Sequence, residues 1–308
     1  MALPEDGAEA GPLTGVSDDL VGFLGLGAEG RAAASELIES SPAGTAGLDE
    51  SPLLPFEPQT LRAFSVYEQH QIQSARGLAR RYLPQAAKFG ALYERITGKV
   101  FPKFRPVEMF DRHPLFYMGN PLSFLPDGSE IPWPSYSKDL DFEIEMGAVI
   151  CRSVPPDTPA DKAKAAIGGF VLVNDVSARD TQWDEYRNGV FGPVIKSKTF
   201  ANVLGTEVIT ADEVWPRVDS LQGEVRVNGE VWSRPGTAGA RWGYGDMAAY
   251  CAAGEGLRPG ELLSAGTLPN GCGLELDRWI QPGDQLELEL ELLGTLTGTV
   301  GHPPPTRG

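Results

Sequence analysis

The stretch that decides the fold is Leu140-Asp141-Phe142-Glu143-Ile144-Glu145-Met146, in which apolar and acidic residues alternate. Such alternation is typical of a β-strand with two different faces. Glu143 and Glu145 then point the same way, about 7 Å apart along the backbone. Two flexible carboxylates at this spacing can converge on one cation, but the same pattern also describes a strand whose acids simply face water.

A third acid stands at the end of an apolar run. Residues 168–174 read Gly-Gly-Phe-Val-Leu-Val-Asn and are followed by Asp175. An apolar run of this length indicates a buried strand, with Asp175 at its mouth. Three carboxylates without a thiol or an imidazole suit a hard divalent cation, with Mg²⁺ as the first choice and Mn²⁺ or Ca²⁺ as alternatives.

Composition limits the classes of function. The chain has 308 residues and a formal net charge of −16, which argues against binding to nucleic acid or to an anionic membrane surface. No apolar run reaches the length of a membrane span, and the acidic N-terminal residues lack the basic and apolar parts of a signal peptide. Cys151, Cys251 and Cys272 are spaced too widely for a zinc motif or a disulfide pattern. A cytoplasmic protein is therefore expected.

The N-terminal part differs in texture from the rest. Residues 1–16 are rich in Gly, Pro, Glu and Ala and are expected to be loosely ordered, whereas residues 18–40 show helical periodicity after a Ser-Asp cap. A loop rich in Ser, Pro and Gly over residues 41–58 marks a boundary. The sequence thus predicts a flexible segment with a small helical module over residues 1–58 and a main body over residues 59–308.

The main body begins with helical periodicity over residues 60–91 and then changes to short strands broken by Pro, Gly and Asp. Residues 159–167 predict one further helix. In residues 224–232 two alternating segments flank Asn228-Gly229, a pair that favours the tight turn of a β-hairpin. Residues 285–300 alternate again. Many short strands with few helices predict an α+β, strand-rich domain in which mixed sheets form a closed or rolled body.

Five ordered motifs resemble those of the fumarylacetoacetate hydrolase family. Residues 174–182 are similar to its N-D-x-S-A-R-D-x-Q signature, and residues 141–146 are similar to its D-x-E-x-E metal strand. The other similarities are Phe191-Gly192-Pro193 with residues 198–202, then Ala265-Gly266-Thr267 with residues 273–276, and finally residues 281–284. The resemblance implies a mixed β-sandwich roll of that family's C-terminal domain type, a catalytic role for residues 59–308, and a homodimer.

The resemblance also implies roles for individual residues. The three acids described above would bind the divalent cation. Lys198 would stabilise developing oxyanion charge, for which an ammonium in a desolvated cleft is well suited. His70, in a segment similar to the family's E-Q-H helix, would activate water as a general base, with Glu275 orienting its ring.

Substrate contacts are implied at five positions, although one of them, the arginine, fits a structural ion pair equally well. These positions are Tyr117, Arg179, Gln182, Asn202 and Thr267. Two other positions depart from the family pattern, because the family's fourth acidic ligand and a following tyrosine are Ala63 and Ser65 here. One carboxylate fewer leaves more net positive charge at the cation, which favours a bidentate anionic substrate.

For the reaction, the resemblance implies metal-dependent hydrolysis of a C–C bond in an acylpyruvate or β-diketone acid, through an enolate held at the cation. Decarboxylation, hydration or isomerisation of a 2-oxo acid is the alternative, since the same acids serve it. A non-catalytic dimeric scaffold is a third hypothesis, supported by Ala63 and opposed by the retained Lys198 and His70. The expected partners are a small-molecule substrate and a second copy of the chain, without nucleic acid or membrane.

Overall fold

The computed structural model describes residues 16–40, 53–189 and 194–305. Its α-helices are α1 (Leu20–Leu26), α2 (Ala28–Ser40), α3 (Glu68–Tyr82), α4 (Pro84–Thr97), α5 (Ala160–Ala163), α6 (Arg179–Asn188), α7 (Ala211–Val214), α8 (Tyr244–Ala252) and α9 (Gly273–Leu276). Its strands are β1 (Thr60–Phe64), β2 (Phe116–Gly119), β3 (Phe124–Pro126), β4 (Glu130–Ile131), β5 (Leu140–Asp141), β6 (Glu143–Ile150), β7 (Ile167–Asn174), β8 (Ser177–Ala178), β9 (Asn202–Thr210), β10 (Gly223–Val227), β11 (Glu230–Ser233), β12 (Glu261–Cys272), β13 (Gln285–Leu290) and β14 (Gly294–Val300).

Two sheets carry the fold. The main sheet has seven strands in the order β2-β1-β12-β6-β7-β9-β3, and the second has five in the order β11-β10-β13-β14-β4. In the main sheet β1 runs parallel to β12, and β3 runs parallel to β9. The pairs β12–β6, β6–β7 and β7–β9 are antiparallel. The predicted α+β, strand-rich fold with mixed sheets is therefore confirmed.

The strand β6 is buried on both faces because it lies in the middle of the main sheet. On one face Ile144 and Met146 join the larger apolar core, which the second sheet shares. On the other face Val149 belongs to a smaller apolar core. Glu143 and Glu145 share the face of Val149 by the two-residue period of a strand. The predicted alternation thus places both acids on one face, at the beginning of β6.

The predicted N-terminal helix is confirmed within residues 20–40, but it consists of two helices. Gly27 has a φ of 60°, a left-handed value that glycine adopts readily, and it separates α1 from α2. The cap is Asp19, whose Oδ1 accepts a hydrogen bond from the N–H of Gly22 at 2.6 Å. Leu24 of α1 packs in the smaller core. The division at residue 58 stays a prediction, and the loose segment predicted before Val16 lies outside the described residues.

The helix predicted for residues 60–91 is wrong at its start. Residues 60–64 form β1, which pairs with β12 and β2, and α3 begins only at Glu68. Ala63 packs in the smaller core and Phe64 in the larger one, so this strand is buried on both faces and lacks a clear alternation. The helical part is also divided, because Pro84 has no N–H to continue α3 and instead begins α4.

Other local predictions are confirmed. Asn228 and Gly229 have φ values of 53° and 76° and join β10 to β11, and residues 285–300 form the hairpin of β13 and β14. The helix predicted over residues 159–167 is shorter, with α5 followed by a 3₁₀ turn at Lys164–Ala166. Within the described part of the chain, no helix is long and apolar enough to cross a membrane.

Candidate metal centre and catalytic dyad

Three carboxylates meet where β6 begins and β7 ends. Oxygen atoms of Glu143, Glu145 and Asp175 all lie within 4.8 Å of one another, and we call these residues the carboxylate cluster. Asp175 is fixed at this point because its N–H donates to the carbonyl oxygen of Glu143 at 3.0 Å. The three residues are only 2–3% exposed. The alternative that these acids face water is therefore wrong.

Lys198 lies against the carboxylate cluster. Its Nζ is 2.5 Å from Glu143 Oε2 and 2.6 Å from Asp175 Oδ2, and it donates to Ser177 Oγ at 2.8 Å. Opposite charge within this distance favours both charged forms. Burial lowers the pKa of Lys198, but Asp175 and Glu143 outweigh burial and raise it above its usual value. Lys198 is therefore a buried ammonium at the cluster.

Arg179 connects the carboxylate cluster to a buried acid behind it. Its Nη2 is 2.6 Å from Glu143 Oε1 and 2.7 Å from Asp141 Oδ2, and its Nη1 donates to Gln182 Oε1 at 2.9 Å. Asp141 also accepts the N–H groups of Gly273 and Leu274, at 2.8 and 3.0 Å. The described contacts of Arg179 and Gln182 are thus with each other and with protein acids, which is the ion-pair alternative for Arg179.

Burial raises the pKa of each cluster acid, and its neighbours decide the net result. For Glu143 the attraction of Lys198 and Arg179 outweighs burial and holds the pKa below its usual range. For Glu145 burial acts together with repulsion from Asp175 and Glu143, so the pKa is raised well above its usual value. Burial also keeps the pKa of Asp175 raised, despite Lys198. A cation at the cluster would favour the ionised form of both.

Glu145 is held by hydroxyl groups of β12. It accepts a hydrogen bond from Ser264 Oγ at 2.5 Å and a longer one from Thr267 Oγ1 at 3.4 Å. The strand is irregular between these two residues, where Gly266 has a φ of 91° and a Cβ would lie 2.1 Å from the carbonyl oxygen of Phe64. Only glycine fits there. Sequence reasoning missed Ser264, which immediately precedes the recognised Ala-Gly-Thr motif.

The donor set fits a divalent cation. Four buried acids meet here (Asp141 and the three cluster carboxylates) together with two buried bases, Arg179 and Lys198. If all six are ionised, the group carries a net charge of −2, which a divalent cation would balance. Carboxylate oxygens are the ligands that hard divalent cations prefer. The cluster residues are thus suited to hold such an ion, and their role as ligands stays a prediction.

His70 and Glu275 form a second group, which we call the His–Glu dyad. His70 lies in the first turn of α3 and Glu275 in α9, and His70 Nδ1 is hydrogen-bonded to Glu275 Oε1. Glu275 Oε2 also accepts the N–H of Asn270 at 2.7 Å. The side chain of His70 is 12% exposed and that of Glu275 is 1% exposed. A base with a fixed orientation can form in this way.

The His–Glu dyad is adjacent to the carboxylate cluster because of the register of β12 and β6. Cys272 pairs with Glu143 across these strands, and its Sγ is 3.7 Å from Glu275 Oε1. Helix α3 is attached to α9 by Arg80, whose Nη2 donates to the carbonyl oxygens of Leu274 and Glu275 at 3.4 and 3.1 Å. The His–Glu dyad and the carboxylate cluster therefore lie side by side.

The other predicted substrate contacts surround the cluster. Tyr117 donates its hydroxyl to Asp175 Oδ2 at 2.7 Å. Asn202, with its amide nitrogen turned toward its acceptors, donates to Asp175 Oδ1 at 3.1 Å. Tyr117, Asn202 and Thr267 thus reach the cluster through its acids, and their contact with substrate stays a prediction. The Phe-Gly-Pro motif at residues 191–193 lies outside the described residues.

The described part of the chain has two cavities of about 280 and 920 Å³. Neither is lined by a cluster carboxylate, by His70 or by Glu275. The candidate site is therefore assigned from the chemistry of its side chains and not from the size of a cavity.

Comparison with known proteins identifies the family. The family model described as fumarylacetoacetate (FAA) hydrolase C-terminal matches residues 90–301, more than half of the chain. The chain belongs to the fumarylacetoacetate hydrolase family. This confirms the resemblance that the sequence motifs indicated, and members of the family are enzymes.

Curated relatives of this chain include two human oxaloacetate tautomerases. The mitochondrial protein oxaloacetate tautomerase FAHD1 is 26% identical over 193 residues, which cover 62% of this chain and 82% of that protein. Mitochondrial oxaloacetate tautomerase FAHD2A is 30% identical over 193 residues, 61% of this chain, and the match spans only 59% of that protein.

Solved structures share the fold. A probable 2-hydroxyhepta-2,4-diene-1,7-dioate isomerase from Mycobacterium abscessus superimposes with a TM-score of 0.63 at 22% identity, covering 93% of both chains. A fumarylpyruvate hydrolase from Pseudomonas aeruginosa, solved with Mn²⁺ and pyruvate, has a TM-score of 0.58 at 20% identity, covering 83% of this chain and 93% of that one. At this identity the similarity concerns the fold alone.

Proposed function

We propose that this chain is a divalent-cation-dependent enzyme that hydrolyses a C–C bond in a small acylpyruvate or β-diketone acid. The observation that supports it most is the His–Glu dyad beside the carboxylate cluster, which brings a base next to a cation site. The fumarylpyruvate hydrolase of the same fold was solved in complex with Mn²⁺ and pyruvate, which agrees with this choice of cation and substrate class. A catalytically inactive scaffold would not need a buried dyad of this kind.

The cluster residues Glu143, Glu145 and Asp175 would hold the cation, with Mg²⁺ preferred and Mn²⁺ or Ca²⁺ as alternatives. When bound, the cation would orient the 2-oxo acid and polarise its ketone. Lys198, whose ammonium donates to Glu143 and Asp175, would give up these contacts when the two carboxylates hold the cation. The ammonium could then face the oxygen on which negative charge develops during attack.

His70 would move the protons. Because Nδ1 faces the carboxylate of Glu275, the ring proton belongs on Nδ1, and Nε2 keeps its lone pair. Nε2 would accept a proton from water as the water oxygen adds to the distal ketone. The C–C bond then breaks, its electron pair goes to the departing carbon, and His70 returns the proton to that carbon. Glu275 would stabilise the imidazolium between these two steps.

Tautomerisation or isomerisation of a 2-oxo acid is the second candidate. The names of the two human relatives favour it. The same base could remove a proton from C3 without any water, so the dyad serves either reaction. Decarboxylation needs no activated water and depends less on His70. The homodimer and the cytoplasmic location expected from the sequence stay predictions.

The test follows the isotopes of water. The protein with Mn²⁺ or Mg²⁺ is incubated with a panel of acylpyruvates and with oxaloacetate, in H₂¹⁸O and separately in D₂O. Hydrolysis puts ¹⁸O into a new product carboxylate, which mass spectrometry detects. Deuterium at C3 of intact substrate, without ¹⁸O in any cleavage product, would replace hydrolysis with tautomerisation. If neither ¹⁸O nor deuterium enters any compound of the panel, both candidate reactions are contradicted.

Substitution of the base gives an independent readout. His70→Ala should lower the hydrolytic rate by ~10²–10⁴-fold, the usual contribution of general base catalysis. His113→Ala is the matched control, since His113 stacks on Tyr250 at 5.2 Å and makes no described contact with the dyad or the cluster. Wild-type turnover by His70→Ala would exclude it as the base and leave decarboxylation ahead.

A further inference from the structure

A cysteine completes a second group of potential ligands beside the carboxylate cluster. Ligand atoms of His70, Cys272 and Glu275 all lie within 4.8 Å of one another. Cys272 is a free thiol with 0% exposure. Its Sγ is 3.7 Å from Glu275 Oε1. The spacing of the cysteines along the chain predicted no metal motif, because these three residues come from α3, the end of β12 and α9.

This donor set differs in chemistry from the carboxylate cluster. A thiolate, an imidazole and a carboxylate are ligands of Zn²⁺ and similar thiophilic cations, whereas Mg²⁺ and Ca²⁺ avoid sulfur. Tetrahedral Zn²⁺ with these ligands places their donor atoms roughly 3.3–3.6 Å apart. The Cys272–Glu275 separation is close to that already. The hydrogen-bonded atoms of His70 and Glu275 would have to move apart by about 1 Å.

Two of the three ligands stand on a fixed frame. Cys272 is the last residue of β12 and pairs with Glu143, while Glu275 is tied to the N–H of Asn270. His70 supplies the adjustment, since its side chain is the most exposed of the three. A water molecule would complete the fourth position.

We propose that His70, Cys272 and Glu275 form a second metal site, which binds Zn²⁺ or another thiophilic divalent cation separately from the carboxylate cluster. Binding replaces the thiol proton of Cys272, which is released to solvent, and the imidazole proton resides on whichever ring nitrogen does not bind the metal. In the metal-free protein the Cys272 thiol donates toward Glu275 Oε1, so it carries the proton that binding releases.

Occupation of this site would have a consequence for catalysis. Zn²⁺ bound to His70 and Glu275 would break their hydrogen bond, and the imidazole would be a metal ligand instead of a base. The enzyme would then be supported by Mg²⁺ at the carboxylate cluster and inhibited by Zn²⁺ at the second site. This consequence rests on the proposed role of His70, whereas the binding of the metal does not.

Co²⁺ is the probe for the site, because a thiolate bound to Co²⁺ gives a charge-transfer absorption band in the near ultraviolet. The full chain, reduced and saturated with Mg²⁺ to fill the carboxylate cluster, is titrated with Co²⁺ and then with Zn²⁺. The wild-type protein should give one band that saturates at one Co²⁺ per chain and disappears when Zn²⁺ displaces it. Absence of the band from the folded wild-type protein would overturn the proposal.

Matched variants locate the thiolate. Cys272→Ser should lose the band, and its Zn²⁺ affinity should fall by more than the ~10–100-fold that loss of an outer partner costs. Cys151→Ser and Cys251→Ser, at the other two buried cysteines, should keep the band. A band that survives Cys272→Ser would overturn the assignment. If Cys272→Ser does not fold, His70→Ala decides instead, because it should weaken Co²⁺ binding by a similar factor, and unchanged affinity would refute the site.

Two further measurements separate this proposal from the proposed function. Glu145→Gln, which disrupts the carboxylate cluster, should abolish turnover but keep the Co²⁺ band. A wild-type protein that shows the band but is not inhibited by Zn²⁺ would contradict the role of His70 as the base, and would leave the metal site in place. A protein that hydrolyses its substrate but lacks the Co²⁺ band would contradict the second metal site and leave the proposed function in place.

Discussion

Gly77 of α3 lies directly against the backbone of Leu274 in α9. A Cβ built on Gly77 would be 2.3 Å from the carbonyl oxygen of Leu274, a distance that no real Cβ tolerates. One of these helices carries His70 and the other carries Glu275. The close approach at Gly77 therefore fixes the separation of the His–Glu dyad from a point two turns along the helix.

Gly77→Ala should separate the dyad. The added methyl group must push α3 away from α9, which costs about 1–3 kcal/mol of folding free energy. A displacement near 1 Å at His70 should lower kcat by ~10²-fold. Gly90→Ala is the control. Gly90 lies in α4, which does not carry the dyad, and its added Cβ would meet the Phe104 ring at 2.6 Å. Equal kcat in the two variants, measured at a temperature where both are folded, would argue against this positioning role.

Local patterns predicted the parts of the fold that depend on neighbours in sequence. The alternation around Glu143 and the Asn228-Gly229 turn are of this kind, and both were correct. For β1 the sequence predicts a helix, because this strand is buried on both faces and Ala63 and Phe64 give no alternation. Only its pairing with β12, some 200 residues later, makes it a strand.

The sequence likewise predicts only those residues of the candidate site that stand in short local motifs. The three acids and His70 stand in short motifs, but Ser264 and Cys272 acquire their positions from the register of β12 against β6. That register brings the Ser264 hydroxyl to the carboxylate of Glu145, which is 119 residues away in the sequence. No pattern within a short window of sequence contains this information.

The cluster acids should differ in what they contribute to stability. Glu145→Gln should weaken Mn²⁺ binding by more than ~100-fold. It should destabilise the cation-free protein much less than loss of Glu143 does, because burial and repulsion from Asp175 and Glu143 raise the pKa of Glu145 and so oppose its charged form. Glu143→Gln should also lose Mn²⁺ but destabilise the fold by about 3–5 kcal/mol, because Lys198 and Arg179 each lose a buried charge partner.

Calorimetric titration with Mn²⁺ and thermal unfolding without it measure these two effects. Glu130→Gln, which changes an exposed carboxylate on β4, should alter neither quantity. Unchanged Mn²⁺ affinity in both cluster variants would exclude the cluster as the cation site. Equal destabilisation by the two would contradict the charge distribution described above.

Glu185 should make stability depend on pH. Its carboxylate accepts hydrogen bonds from Ser197 Oγ at 2.6 Å and from the N–H of Ile195 at 2.9 Å, just before Lys198. Burial raises the pKa of Glu185, but the Ser197 hydroxyl and nearby N–H groups outweigh burial and lower it below its usual value. A lowered pKa in the folded state means that this stabilisation is present above the unfolded pKa of about 4.5 and is lost as pH falls through the folded value.

Glu185→Gln should therefore have a lower Tm than the wild type at neutral pH, and the difference should shrink as the solution is acidified below pH ~4.5. Thermal unfolding across this pH range measures the difference. Glu36→Gln, at an exposed position of α2, should follow the wild-type curve. A difference in Tm that stays constant down to strongly acidic pH would rule out ionisation of Glu185 as its cause.

The resemblance to the family implies that Ala63 takes the place of a further acidic ligand, and this assignment stays a prediction. It pairs with Ser264 of β12 on one side and with Tyr117 of β2 on the other. Residues paired across strands share a face of the sheet, and the side chains of these two partners reach Glu145 and Asp175. The methyl group of Ala63 therefore points to the face of the carboxylate cluster.

Ala63→Asp should convert this position into a fourth acid near the cation. Without a cation, the new carboxylate is added to a buried group in which four acids already outnumber two bases, so the Tm should fall. With saturating Mn²⁺ the lost Tm should be recovered, because binding to the folded state stabilises it. The Mn²⁺ affinity should exceed that of the wild type, because the new carboxylate adds a ligand. Ala63→Asn has nearly the same shape without the charge, so it should show the steric loss alone. Thermal unfolding of the two variants with and without Mn²⁺ measures both effects. If Mn²⁺ raises the Tm of Ala63→Asp no more than that of Ala63→Asn, the position does not face the cation.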